Sequence, residues 1–237
     1  MAHYIDLHCH LLPGLDDGAP DLETSMEMLD ALCRLGFGEI CVTPHQREGL
    51  FMPTAEAIGQ ALAQFRQEAQ AKYPDLVVRR GAENYWDSVF IDRLRTHTVP
   101  CYDGQRAFLF EVNPVLLPPR VEEALFEIRL SSQLPVIAHP ERYLPVQRDL
   151  GFAEVLGRHA ALVVDLEALA GSHRETKTAR RLVEEDLAHA VASDLHSPEG
   201  QDAVASGIEW IRKRRGEGVI ERLLAENPRR ILAGELP

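Results

Sequence analysis

The chain alternates short apolar runs with longer segments in which apolar residues recur every three or four positions. Seven short runs predict buried strands: Tyr4 to His8, Glu39 to Thr43, Leu76 to Arg80, Ala107 to Val112, Leu134 to Ala138, Ala161 to Leu166 and His189 to Ser193. Helical spacing fills the gaps. Leu22 to Leu35 carries Met26, Leu29, Leu32 and Cys33 on one face, with Gly36 as the stop. Thr54 to Lys72 carries Ile58, Leu62 and Phe65 on one side. Further helices are expected over Pro119 to Leu130, Pro145 to His159, Glu175 to Asp186 and the tail from Gly200 to Leu232. Strand followed by helix, repeated, implies a parallel sheet covered by helices. No linker-like shift or repeat interrupts the pattern, so residues 1–237 are expected to form a single domain.

The chemistry sits where these strands end. The first ends in His8 and His10, the second in His45, the third in Glu83, the fourth in Glu111, the fifth in His139 and the seventh in Asp194 and His196. In an extended strand, positions i and i+2 point to one face, so His8 with His10 and Asp194 with His196 each form a potential ligand pair. The two pairs lie at opposite ends of the sequence. They converge if the first and last strands are neighbours, as in a closed barrel, whose site lies at the C-terminal rim. A His and carboxylate set without Cys suits Zn, Mn or Fe rather than a structural thiolate site. The expected product is a polynuclear metal centre that activates water for hydrolysis. His97, His159, His173 and His189 have no such company and are not expected to bind metal.

Composition narrows the partners. The 237 residues are 45% hydrophobic and 26% charged, with a formal net charge of −12. An acidic surface argues against a nucleic-acid partner. Cys9, Cys33, Cys41 and Cys101 lack CxxC spacing and read as reduced thiols of a cytoplasmic protein. No basic and apolar leader precedes the first strand, and no apolar stretch reaches the ~18 residues of a membrane span.

The motifs Asp6-Leu-His8-Cys-His10, Thr43-Pro44-His45, Gly81-Ala-Glu83, His139-Pro140 and Ser193-Asp194-Leu-His196 resemble those of the PHP (polymerase and histidinol phosphatase) superfamily. The resemblance is closer to its CpsB-type branch, the bacterial capsule and exopolysaccharide protein-tyrosine phosphatases. Leu12-Pro-Gly-Leu-Asp-Asp-Gly18 looks like that branch's LPGxDDG loop, and Ala138-His-Pro-Glu-Arg-Tyr143 like its AHPERY segment. Glu111 stands where histidinol phosphatases usually carry His.

The resemblance implies a distorted (β/α)7 TIM-like barrel of the PHP type and a centre of three divalent ions, Mn favoured over Fe or Zn. One ion would be held by His8, His10, Glu83 and Asp194, a second by Glu83, Glu111 and His139, and a third by Asp17, His45 and His196, with Glu83 bridging the first two. Spacing alone leaves Asp16 and Asp17 open as ligand; the resemblance favours Asp17. Asp6 shares strand parity with His8 and is expected to orient an imidazole. With four carboxylates, the loaded pocket would stand at about +2, which suits a phosphate monoester dianion. Glu83, His139 and Arg142 are the expected catalytic residues, with the Arg142 guanidinium clamping phosphate oxygens or else pairing with a neighbour such as Glu141.

Members of this branch commonly carry an Arg shortly after the SDxH motif; Ser197-Pro-Glu-Gly-Gln-Asp202 has none. The implied function is a metal-dependent phosphatase of phosphotyrosine in a protein, an autophosphorylating tyrosine kinase of polysaccharide assembly. Alternatives are a small-molecule phosphatase of the histidinol-phosphate or nucleotide type, and an inactive metal-binding scaffold.

Overall fold

The structure is a computed structural model that describes residues 3–237. In chain order the elements are β1 (Tyr4–Cys9), α1 (Leu22–Arg34), β2 (Phe37–Val42), β3 (His45–Gln46), α2 (Ala55–Lys72), β4 (Val77–Arg80), β5 (Glu83–Tyr85), α3 (Ser88–Thr96), β6 (Ala107–Glu111), α4 (Val121–Leu130), β7 (Leu134–Ala138), α5 (Leu144–Arg148), α6 (Gly151–Gly157), β8 (Ala161–Asp165), α7 (Leu166–Ala170), α8 (Arg174–Glu184), β9 (Ala190–Ala192), α9 (Gln201–Arg215), α10 (Glu217–Glu221) and α11 (Asn227–Leu232).

All ladder pairs are parallel, in the orders β1-β2-β4 and β3-β5-β6-β7-β8-β9. The two sheets are one wall. β2 runs on into β3 through Thr43-Pro44, and β4 into β5 through Gly81-Ala82, with Gly81 N donating to Val42 O (2.8 Å) and Glu83 N to Pro44 O (3.1 Å). The seam between first and last strands is closed by Asp194 N to His8 O (2.9 Å), His10 N to Leu195 O (3.0 Å) and a parallel bridge between Cys9 and Leu195. The result is a seven-stranded parallel barrel wrapped in helices, the expected fold class.

Strand alternation sorts the core into two layers. Ala107, Leu109, Val136, Val163 and Ala190 fill the barrel, with Ile231 and Leu232 of α11 against them. Phe108, Phe110, Ile137, Val164 and Val191 face the helices. β1 departs from this rule in a way that shapes the site. Asp6 pairs with Ile40 and Cys9 with Val42, so three steps on β1 oppose two on β2, a β-bulge. Ile5 and Leu7 belong to the barrel interior and Cys9 to the outer layer. The bulge therefore breaks the parity between Asp6 and His8 on which the sequence expectation rested.

Other departures have local causes. The expected helix from Pro145 to His159 breaks at Asp149, whose extended backbone ends α5, and whose carboxylate accepts from Gly151 N (2.9 Å). The tail breaks at Gly216 (φ 84°) and again in a π-helical turn over Arg222–Glu226. Pro228, at the start of α11, has no N–H for an i→i−4 bond, which permits the wider turn. α3 was not expected; Asp87 caps it by accepting from Phe90 N (2.9 Å).

Candidate metal centre

The side chains named from the strand ends converge at the C-terminal rim of the barrel. His8 and His10 come from the end of β1, Asp17 from the following loop, His45 from β3, Glu83 from β5, Glu111 from β6, His139 from the end of β7, and Asp194 and His196 from the segment after β9. Their donor atoms form four overlapping groups, each within 4.8 Å: His10, Asp17, His45 and His196; His8, His10 and Asp194; His8, Glu83 and His139; His45, Glu83 and Glu111.

Glu83, buried at 1% exposure, is the hub. Its Oε1 lies 2.8 Å from His139 Nε2, and its Oε2 lies 2.8 Å from His45 Nδ1, 3.3 Å from His8 Nε2 and 3.5 Å from His10 Nε2. Asp194 Oδ1 lies 3.1 Å from His8 Nε2 and 3.4 Å from His10 Nε2, and these two nitrogens are 3.1 Å apart. Asp17 Oδ1 sits 3.3 Å from His45 Nε2 and 3.6 Å from His196 Nε2. Glu111 faces His45 and His139 at 3.9 and 3.8 Å. The donor groups share members; they are not three separate sets.

Asp16 and Asp17 have different places. Asp16 Oδ2 lies 2.8 Å from His10 Nδ1 and accepts from His45 N (3.0 Å), while its Oδ1 accepts from Gly18 N (3.0 Å). Burial would raise its pKa, but His10 overcomes this and holds it down at about 2. Asp16 is thus a carboxylate that takes the His10 Nδ1 proton as a hydrogen bond and leaves Nε2 aimed inward. Likewise His196 Nδ1 bonds Asp194 O (2.8 Å), leaving its Nε2 toward Asp17. His139 (φ 36°) and Asp194 (φ 49°) hold left-handed backbone, a strain of about 1–3 kcal/mol each that re-aims both side chains.

The donor set fits divalent cations. Glu83 Oε2, Asp194 Oδ1 and His45 Nδ1 are buried, face the cluster and make no hydrogen bond among the described residues. Unpartnered buried acceptors cost about 1–3 kcal/mol each. Lone pairs converging within 4 Å across imidazole and carboxylate are relieved by cations between them, and N and O donors without thiolate suit Mn, Fe or Zn. Charge balance points the same way. Burial would lower the His8 pKa, yet Asp194 and Glu83 raise it to about 9. Burial would raise Glu83 and Asp194, yet the imidazoles hold both well below the usual carboxylate range.

Two expectations about neighbouring residues change. Asp6 touches no imidazole: it accepts from His8 N (3.2 Å), Ser193 N (3.0 Å) and the Ser193 hydroxyl (2.5 Å). Arg142 does not pair with Glu141; its Nη2 donates to Asp165 (2.6 Å) and Asp194 (2.5 Å). Asp165 was missed by sequence reasoning, although it closes β8 at the point where the other strands carry their ligands. Beside this cluster opens a cavity of about 410 Å³, lined by Arg47, Tyr85, Glu111, Val115, His139 and Arg142. Tyr85 faces it, whereas Trp86 packs on Phe90 and Phe110 (5.4 Å between ring centres in both pairs).

A parallel barrel with a His and carboxylate cluster at its rim defines a PHP-type metallohydrolase scaffold. Comparison with known proteins is more specific. The family described as "Capsular polysaccharide synthesis, CpsB/CapC" matches residues 4–233, and the chain belongs to it. It is similar to the tyrosine-protein phosphatase CpsB of Streptococcus pneumoniae, 29% identical over 245 residues, covering 98% of this chain and 99% of that protein. Among solved structures, it matches one from work on YwqE of Bacillus subtilis and CpsB of S. pneumoniae, described as metal-dependent tyrosine phosphatases. That match has a TM-score of 0.87 and 28% identity, covering 98% of this chain and 95% of the other. A histidinol phosphate phosphatase of Lactococcus lactis shares the fold, with a TM-score of 0.59 and 14% identity over 90% of this chain and 94% of that one.

Proposed function

We propose that this chain is a metal-dependent protein-tyrosine phosphatase, acting in the cytoplasm on a tyrosine kinase that phosphorylates itself during capsule or exopolysaccharide assembly. The observation that carries the reading is Glu83, buried and ionised, with four imidazoles around it and one oxygen free of any hydrogen bond. Likeness to the CpsB and YwqE phosphatases supports the substrate class.

Three divalent ions, manganese favoured, would be held by His8, His10, Asp17, His45, Glu83, Glu111, His139, Asp194 and His196. When bound, they supply Lewis acidity to phosphoryl oxygens and lower the pKa of water. The chain's own residues do the rest. Asp16 and the backbone of Asp194 fix the rings of His10 and His196. Asp165 and Asp194 hold Arg142 by Nη2, which leaves Nε and Nη1 without a partner among the described residues and available to phosphate oxygens. The adjoining cavity has room for a phenyl ring beside the cluster. A phenolate leaves with a pKa of about 10, so no strong general acid has to be positioned. A thiol route has no support: burial raises the Cys9 and Cys41 thiols well above their ordinary value, and pushes those of the half-buried Cys33 and Cys101 up to about 11.

The test compares kcat/KM for a phosphotyrosyl peptide with that for histidinol phosphate, using manganese-loaded protein. Higher efficiency on the peptide is expected. Preference for histidinol phosphate would replace this reading with a small-molecule phosphatase, and turnover of neither would leave a metal-binding scaffold.

A further inference from the structure

We infer that Arg47, braced on the ring of Tyr85, is a second phosphate-binding arginine, gripping the phosphoryl group across the cavity from Arg142. The inference rests on the phosphatase reading above and identifies a substrate contact which that reading leaves out.

The ladder register places it. His45 pairs with Glu83, and Tyr85 pairs with Glu111. Side chains two apart on a strand share a face. Arg47 therefore follows His45, and Tyr85 follows Glu83, one step outward toward the barrel mouth. His45 and Glu83 form an inner layer with the candidate ligands. Arg47 and Tyr85 form the next layer and line the cavity together with Glu111, His139 and Arg142.

The guanidinium is held without a hydrogen-bonded ion pair, although the Glu111 carboxylate on the same wall feels its charge. Its carbon stands 4.2 Å from the centre of the Tyr85 ring. Among the described residues its side chain makes no hydrogen bond and no ion pair, whereas Arg142 is tied to two carboxylates. The backbone beneath it is fixed. Arg47 N donates to Phe51 O (2.6 Å) and Phe51 N to Arg47 O (3.0 Å), with Gly49 at φ 77° closing the turn. Glu48 pins this turn to α3, its N donating to Asp87 (2.9 Å) and its carboxylate accepting from the Ser88 hydroxyl (2.6 Å). Phe51 stacks on His45 (5.6 Å, 11° between planes), so turn and candidate ligand move together. A half-buried arginine with five free donors, stacked on a ring and facing a site built for an anion, is preorganised for phosphate.

The experiment measures orthophosphate binding to metal-loaded protein by calorimetry, with KM and kcat for p-nitrophenyl phosphate and for a phosphotyrosyl peptide. Arg47→Ala should weaken orthophosphate binding about tenfold or more, and raise KM for both substrates by a similar factor, with metal content unchanged. Arg47→Lys should recover part of the loss, because it restores charge but not the fork. Tyr85→Leu should cost a few-fold through Arg47, and nothing further in the Arg47→Ala background. Unchanged phosphate affinity in Arg47→Ala would overturn the inference, whether peptide KM rises (a contact to the peptide flank) or not. A fall in metal content would overturn it too. If wild-type protein neither binds phosphate nor hydrolyses either substrate, the function itself fails; turnover that ignores Arg47 refutes only the present inference.

Discussion

Ser193 and Asp6, 187 positions apart in sequence, lock the barrel shut: both the backbone N and the hydroxyl of Ser193 donate to the Asp6 carboxylate, at 3.0 and 2.5 Å. The lock lies beside two candidate ligands. Asp6 also accepts from His8 N, and Asp194 N donates to His8 O across the same seam. Burial pushes the Asp6 carboxyl up to about 6, against the pull of its Ser193 hydrogen bonds.

Ser193→Ala should therefore weaken both fold and site. The hydroxyl also accepts from Leu195 N (3.2 Å), so its removal leaves a buried carboxylate oxygen and an amide short of partners. The expected loss is about 1–3 kcal/mol, read as a lower urea midpoint at unchanged slope. Metal affinity should fall with it, because His8 and Asp194 border the seam. An unchanged midpoint would show that the seam is held by backbone bonds alone.

Glu83→Ala tests the centre of the site. Oε1 and Oε2 face four imidazoles from three different strands. Removing them should release at least two of the three proposed ions and reduce turnover by more than the ~100-fold typical of residues that only orient a ligand. Metal analysis of the purified variant checks it. Full stoichiometry would remove Glu83 from the bridging position.

Gly18→Ala tests the loop that carries Asp16 and Asp17. A Cβ at Gly18 would fall 2.2 Å from His10 O and 2.4 Å from His10 Cβ, contacts that no small shift relieves. Ala19 N also donates to His10 O (3.1 Å), so the loop folds directly back on β1. The variant should move Asp16 off His10 Nδ1 and Asp17 away from His45 and His196. An affinity loss of about 10–100-fold is expected for the ion near Asp17, with the fold retained. Titration of metal into the chelated variant, followed by circular dichroism, separates the two effects.

Most of this candidate site was legible because strand period and motif order agree: every side chain named from a strand end lies in one of the four donor groups. What could not be read has identifiable causes. The Asp6 expectation failed because a bulge changes parity without changing composition. Asp165 was passed over because its role depends on Arg142, which is distant in sequence and reaches it only through the turn after β7. Arg47 was visible in principle, two positions beyond His45, but the strand restarts after Thr43-Pro44, which hid the register. α3 follows closely on β5 and has only Phe90 buried, too weak a periodicity to be seen.

His189 gives a pH-dependent prediction away from the centre. It precedes β9, is largely buried, and its Nδ1 accepts from Leu162 N (3.1 Å), which requires the neutral ring. Burial lowers its pKa to about 4 from an ordinary 6.5. A depressed histidine pKa means that the unfolded chain binds the proton first as pH falls. Stability from this residue is therefore complete above about pH 6.5 and is lost progressively toward pH 4. Between pH 8 and pH 5 the loss should approach about 2 kcal/mol. His189→Gln keeps an acceptor for Leu162 N but cannot titrate. Its urea midpoint should fall less steeply with acid than that of the wild type, and the two curves should draw together below pH 6. Because the metal-site groups are common to both proteins, the difference between the curves isolates His189. Parallel curves over the whole range would mean that the imidazole is solvated in the native state and titrates normally.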